Sequence, residues 1–139
     1  MSMQSKARFA AGLLEVEVQG EFSIEEAKRS FLETLENVGR HGATKVLIDG
    51  RTLQGEPEVI ERFIYGEFAA AETARASSKH KLSRTPRFAY VLKEPMLDPR
   101  RFGENVAANR GMIIKVFENR EEAIEWLGTD FTGKPVKGK

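Results

Sequence analysis

The chain has no cysteine and only two histidines among its 139 residues. The first absence excludes disulfides, thiol nucleophiles and thiolate metal sites outright. The second leaves His41 and His80 without any His-x-x-x-His or Glu-x-x-His spacing, so no metal-ligand set is expected. Long apolar runs are missing as well. None approaches the ~20 residues of a bilayer span, and Met1 to Arg8 is polar, without a signal-peptide core. A cytoplasmic location is the expectation. Net charge is only +1, far from the basic excess of a duplex-binding domain, so no nucleic-acid partner is expected. Catalytic signatures are scarce too. No Gly-x-Ser-x-Gly elbow occurs. Gly128-Thr-Asp-Phe-Thr-Gly-Lys134 comes near a phosphate-binding loop, but Pro135 stands where the magnesium-binding hydroxyl belongs, and the segment follows a helix pattern.

What is present is the composition of an ordinary globular protein, 40% hydrophobic and 31% charged. The length suits a single domain, placed at residues 1–128, with 129–139 expected to be a disordered basic tail. Charge is unevenly spread. Arg75 to Lys93 contains Arg75, Lys79, Lys81, Arg84, Arg87 and Lys93 and no acid, after a strongly acidic stretch. Such a block can hold an anion, but balancing the acidic helix before it explains it more simply.

Leu14-Glu-Val-Glu-Val18 alternates like a half-buried strand, with a shorter strand from Arg8 to Ala11 pairing through a turn at Gly12. Ser23-Ile-Glu-Glu26 reads as a capping box opening a helix with Ile24, Ala27, Phe31, Leu35 and Val38 on one face. Lys45 to Asp49 is a strand covered on both faces, and Gly50 to Glu56 a polar loop. Pro57 suits the first position of the next helix, whose buried stripe is Ile60, Phe63, Ile64, Phe68 and Ala71. Arg87 to Leu92 is a strand, Asp98-Pro99 opens a short helix, Met112 to Phe117 is a strand, and Asn119 caps the last helix. The fold class is therefore α/β. A single mixed sheet of about five strands, with an antiparallel opening hairpin and the rest mainly parallel, is flanked by four helices.

This order, the Val-Leu-Ile-Asp49 strand and the run Phe102-Gly-Glu-Asn-Val-Ala-Ala-Asn-Arg-Gly-Met-Ile-Ile-Lys-Val-Phe-Glu-Asn-Arg-Glu-Glu-Ala-Ile-Glu-Trp-Leu127 resemble the STAS-like family. The nearer likeness is to its bacterial branch of proteins similar to the sporulation anti-sigma-factor antagonist, over about residues 8–128. The resemblance implies a regulatory protein-interaction module. The antagonist carries a phosphorylatable serine in an Asp-Ser-Ser-Gly motif after the third strand. The matching region here is Thr52-Leu-Gln-Gly55, with Gln54 roughly in the acceptor's place and no Ser-Gly pair. The branch is also compared with the CRAL-TRIO lipid-carrier fold, which implies a pocket for an apolar ligand.

Candidate site residues fall into two sets. Asp49, Arg51, Thr52, Gln54 and Glu56 would form a partner-facing or ligand-facing loop at a strand's carboxyl end, where open α/β sheets place their sites. Phe63, Phe68, Phe88 and Tyr90 would line an apolar pocket, or simply fill the core. Asp49 with Glu56 could work as an acid/base pair, but Asp49 held by Arg51 is the simpler role. His41 complements a helix C-terminus, His80 faces water, Arg110 caps helix carbonyls, and Trp126 is a core or dimer-face aromatic. No cofactor is implied. The expected partner is a protein or a small apolar ligand, and homodimerisation is compatible with both. A cavity between sheet and helices favours the ligand. A filled core favours the protein partner.

Overall fold

The computed structural model describes residues 3–128. Strand β1 (Gln4–Ala10) pairs antiparallel with β2 (Leu13–Glu21). Ala11 and Gly12, with φ of 54° and 80°, make the two-residue turn whose twist suits a hairpin. On β2, Leu14, Val16 and Val18 are buried, and the intervening glutamates face the opposite side. Helix α1 (Ile24–His41) opens where the capping signal stands, with Ser23 Oγ accepting the Glu26 N–H at 3.3 Å. The reciprocal arm of the expected box does not form. The Glu26 carboxylate accepts the Met3 backbone N–H instead, tying β1 to α1.

Next come β3 (Lys45–Gln54), α2 (Val59–Lys79), β4 (Arg87–Val91), α3 (Phe102–Asn109), β5 (Ile113–Phe117) and α4 (Arg120–Leu127). The five strands lie in the order β1-β2-β3-β4-β5, and every pair after the hairpin is parallel. Because each crossover moves one strand further in the same direction, right-handedness sends α1, α2 and α3 over the same face. Only α4, which follows the last strand, is free to cover the other. The core divides accordingly. Phe31, Leu35 and Val38 of α1 pack with Val46, Phe88 and Ala69, whereas Ala123 and Leu127 of α4 pack with Leu47, Ala89 and Val91. Among the described residues no helix is long and apolar enough to cross a membrane.

Three local expectations need correction. First, β3 does not stop at Asp49. β2 also continues, past a bulge beyond Glu17, so Gln19, Gly20 and Glu21 supply a ladder for Thr52, Leu53 and Gln54. The connecting loop shrinks to the residues around Gly55, and Pro57 precedes the α2 N-cap, Glu58, instead of entering the helix. Second, α3 begins at Phe102. Asp98 caps it from a turn away, its Oδ2 accepting the Phe102 N–H at 3.0 Å and its Oδ1 the Arg100 N–H at 3.1 Å. Third, α2 does not bury the expected stripe. Its buried residues are Gly66, Ala69, Ala70, Thr73 and Ala76, while Ile60 is 56% exposed and Phe63, Ile64 and Phe68 are half-buried.

Candidate functional site

The rotation of α2 has a direct consequence. Residues with small side chains meet the sheet, so the space between α2 and the carboxyl ends of the strands is not filled. An apolar pocket of about 140 Å³ remains there, partly open to solvent. Its floor is Val18, Ile48, Gly50, Leu92 and Val116, and its roof comes from α1, α2 and α3. At the amino ends of the same strands, Leu14, Val46 and Phe88 are at most 1% exposed, so that half is packed solid. Gly50 belongs to the floor for a steric reason. A Cβ there would sit 3.0 Å from both Leu53 and Leu92 side chains, which close over it. Helices α2 and α3 approach one another at a pair of glycines. A Cβ on Gly66 of α2 would lie 2.6 Å from the Gly103 carbonyl oxygen of α3.

Besides the Ser30 and Thr34 hydroxyls of α1, a polar pair lies inside. Tyr65 of α2 and Tyr90 of β4 both line the pocket, and their hydroxyls are 2.6 Å apart. The rings meet edge to face at 6.2 Å, with Phe31 against Tyr65. Burial raises both phenol pKa values above their ordinary position, so the pair is neutral at physiological pH. The polar groups at the rim are committed to structure. Arg62 donates to the Met96 and Pro95 carbonyls at 2.9 and 3.0 Å, Arg101 donates to the Val116 carbonyl at 2.6 Å, and Glu61 accepts the Glu58 N–H at 2.9 Å.

The opposite face at the same strand ends is built from charge. Arg51 forks onto Asp49, Nε to Oδ1 at 3.0 Å and Nη2 to Oδ2 at 2.8 Å, and its backbone N–H adds a third bond to Oδ1 at 3.2 Å. Arg120 of α4 grips Glu15 of β2 the same way, with both bonds 2.8 Å. Hydrogen bonding to Arg120 lowers the Glu15 pKa against the effect of burial. For Asp49 burial acts upward most strongly, yet the side-chain and backbone bonds to Arg51 together bring it below its ordinary value.

The residues expected to form one loop are thus divided. Asp49, Arg51 and Thr52 border a shallow depression with Glu17 and Lys93, on the side of α4. Gln54 is exposed at the strand end, and Glu56 is exposed in the loop beyond, away from the depression that Asp49 borders. Of the expected pocket aromatics only Tyr90 lines the pocket. Phe88 is fully buried in the solid half, Phe63 stacks on Phe102 at 6.2 Å, and Phe68 lies under Lys28, 5.3 Å from its ammonium. The residues the sequence reading missed are Tyr65, Leu53 and Leu92. A signal existed for the first: Tyr65 neighbours Gly66 and stands four residues before Ala69, a polar-tipped aromatic beside small residues.

Among the single-residue assignments only that of His80 shifts, and His41 does end α1. His41 stacks on Phe9 at 4.5 Å. His80 does not face open water, because its ring lies against Gly39 of α1. Arg110 does reach a helix carbonyl, that of Val106, at 3.4 Å and also pairs with Glu67. Trp126 packs on Phe117 beneath Arg87. Arg75 and Lys79 in the basic tract pair with Glu72 and Glu36. The expected disordered tail and the near-phosphate-loop run into it lie outside the described residues beyond Gly128.

A model of the SpoIIAA-like family matches residues 13–128. The chain belongs to the SpoIIAA-like family. Among solved structures, it is similar to an anti-sigma factor antagonist from Mycobacterium paratuberculosis, with TM-score 0.55 and 16% identity over 88% of this chain and 92% of that one. It is also similar to an uncharacterized protein with a SpoIIAA-like fold from Shewanella loihica PV-4, with TM-score 0.48 and 19% identity over 90% and 93% of the two chains. No curated protein matches in sequence. The likeness to the antagonist is one of fold.

Proposed function

We propose that this protein is a non-enzymatic regulatory module that senses or carries a small apolar ligand and reports it to a protein partner. The observation that carries the ligand is the apolar pocket between α2 and the strand carboxyl ends. Pockets of this kind, apolar with few polar groups, suit binding by burial of ligand surface. The protein partner rests on the family, whose fold an anti-sigma factor antagonist shares. Against catalysis stands the chemistry of the pocket. Arg62, Arg101, Glu61 and Asp98 are spent on backbone groups, and the two tyrosines are held protonated.

The partner surface we assign to the other side of the strand ends, around Arg51, Thr52 and Gln54, and it works without phosphorylation. Thr52 is exposed but sits within β3, paired with Gln19, several residues before α2 begins. It therefore lacks the helix N-terminus that stabilises a phosphate. Native mass spectrometry of freshly purified protein, with and without mild denaturation, tests the ligand half. A bound mass of a few hundred daltons or less, released on denaturation, is expected. Protein that takes up no apolar compound from a screened set would refute it. For the partner half, Arg51→Ala should weaken a pull-down partner and Thr52→Ala should not. The reverse result restores a phosphorylation switch.

A further inference from the structure

Counting protons in the Tyr65–Tyr90 pair narrows the ligand. Two phenols carry two O–H groups, but one oxygen-to-oxygen contact at 2.6 Å uses only one of them. Among the described residues neither hydroxyl has another hydrogen-bond partner. One hydroxyl proton is therefore left over. Tyr90 is 7% exposed and lines the pocket, and so does the half-buried Tyr65, so the spare donor faces a largely apolar pocket. A buried donor without an acceptor costs about 1–3 kcal/mol. A lone water beside the pair is a poor remedy, since a buried water needs two to four polar partners and, among the described residues, the other lining hydroxyls are only those of Ser30 and Thr34. The neighbouring walls are Phe31, Ile48, Ala69 and Val116. The rim acceptors are already engaged: Asp98 holds two backbone N–H groups, Glu61 a third, and Glu104 the Arg101 guanidinium.

We infer that the pocket takes a small, neutral, mainly apolar molecule with one hydrogen-bond acceptor, such as an aryl ketone, aldehyde or ester, whose oxygen receives the spare tyrosine proton. The inference rests on the ligand reading above and adds its polar requirement. Size agrees, because a cavity of about 140 Å³ is close to the engineered cavity of about 150 Å³ that holds benzene. Neutrality follows from charge already matched at the rim, Arg101 by Glu104 at 3.2 Å and Arg62 by the neighbouring Asp98. Because either tyrosine can be the donor, each single Tyr→Phe variant keeps one free hydroxyl proton. Only the double variant removes the donor.

The test uses two probes of nearly equal shape, acetophenone and ethylbenzene, with affinities measured by NMR titration of the whole chain. In the double Tyr65→Phe, Tyr90→Phe variant the affinity ratio, acetophenone over ethylbenzene, should fall about ten-fold from its wild-type value, the size of one hydrogen bond. Ethylbenzene binding itself should persist. Each single variant should hold the ratio within about three-fold of wild type, as half-measures that leave one donor. An unchanged ratio in the double variant overturns the inference while leaving the pocket reading intact. Failure of both probes to bind wild-type protein overturns the pocket reading as well. Should the double variant not fold, the infrared carbonyl band of isotope-labelled acetophenone bound to wild-type protein decides. A shift to lower frequency than in hexane supports the hydrogen bond, and a hexane-like band refutes it.

Discussion

The two faces of the sheet solve the same packing problem differently. Under α4, Leu47, Ala89, Val91 and Leu127 are at most 1% exposed, and two forked ion pairs close the edge beside them. Under α1, α2 and α3, the amino half of the face is equally dense, but the carboxyl half is hollow and hides two tyrosines. Strand β3 serves both. Val46, Ile48 and Gly50 look toward the hollow face, while Leu47, Asp49 and Arg51 look toward α4. A well-packed interior rarely leaves room larger than a few waters. That one face does so where its counterpart does not marks the hollow as a built feature.

Matched substitutions should break this comparison if it is wrong. Ala89 and Ala69 are both 0% exposed, the first under α4 and the second on the pocket wall. Ala89→Leu must overpack a filled layer and should lower unfolding free energy by about 3 kcal/mol. Ala69→Leu should cost less than about 1 kcal/mol, because its new methyl groups enter space already vacant, and it should abolish ethylbenzene binding. Equal losses in urea melts would show that the two faces are packed alike.

The next effect is at the helix crossing. Gly66→Ala gains helix propensity of about 1 kcal/mol, yet its Cβ meets the Gly103 carbonyl oxygen at 2.6 Å. A net destabilisation of about 2 kcal/mol is expected, with Gly103→Ala milder because its nearest contact is 3.1 Å. Thermal melts that rank the two variants the other way would remove the crossing from the explanation of the pocket.

Smaller still is the ion-pair face. Arg120→Ala should cost about 1 kcal/mol near neutral pH, in keeping with partly exposed pairs. The pH dependence sets its sign. Glu15 and Asp49 have lowered pKa values in the folded state, so they bind fewer protons folded than unfolded. Their contribution is complete above the unfolded carboxylate range and is lost as pH falls below about 4. Wild type should therefore lose more stability than Arg120→Ala between pH 7 and pH 3. Parallel profiles would mean that the Glu15 pair is without consequence.

Much of the fold was legible because its signals are local. Ser23 and Asn119 mark helix starts by their own hydrogen-bonding chemistry, and each holds the expected position. The unbroken apolar run at Lys45 also announced a strand covered on both sides. The site was less legible, for two reasons. Residues 50–54 look like a loop, but β2 supplies a parallel ladder from far away in sequence, which composition does not record. On α2 the largest apolar residues spell a different stripe from the one that is buried. The helix instead turns Gly66, Ala69, Ala70, Thr73 and Ala76 inward, and at Gly66 the close approach of Gly103 on α3 leaves no room for a side chain. Periodicity locates an apolar face, but it does not say that the bulkiest side chains fill the core. The pocket exists because they do not.

The central claim is that a ligand-accepting chamber lies on one face only. Methyl-resolved NMR during a titration with ethylbenzene addresses it directly. Ile48, Leu53, Leu92 and Val116 methyl signals should shift in a saturable manner, while those of Leu47, Val91 and Leu127 stay in place. No saturable shift at the first group, or equal shifts on both faces, would contradict it.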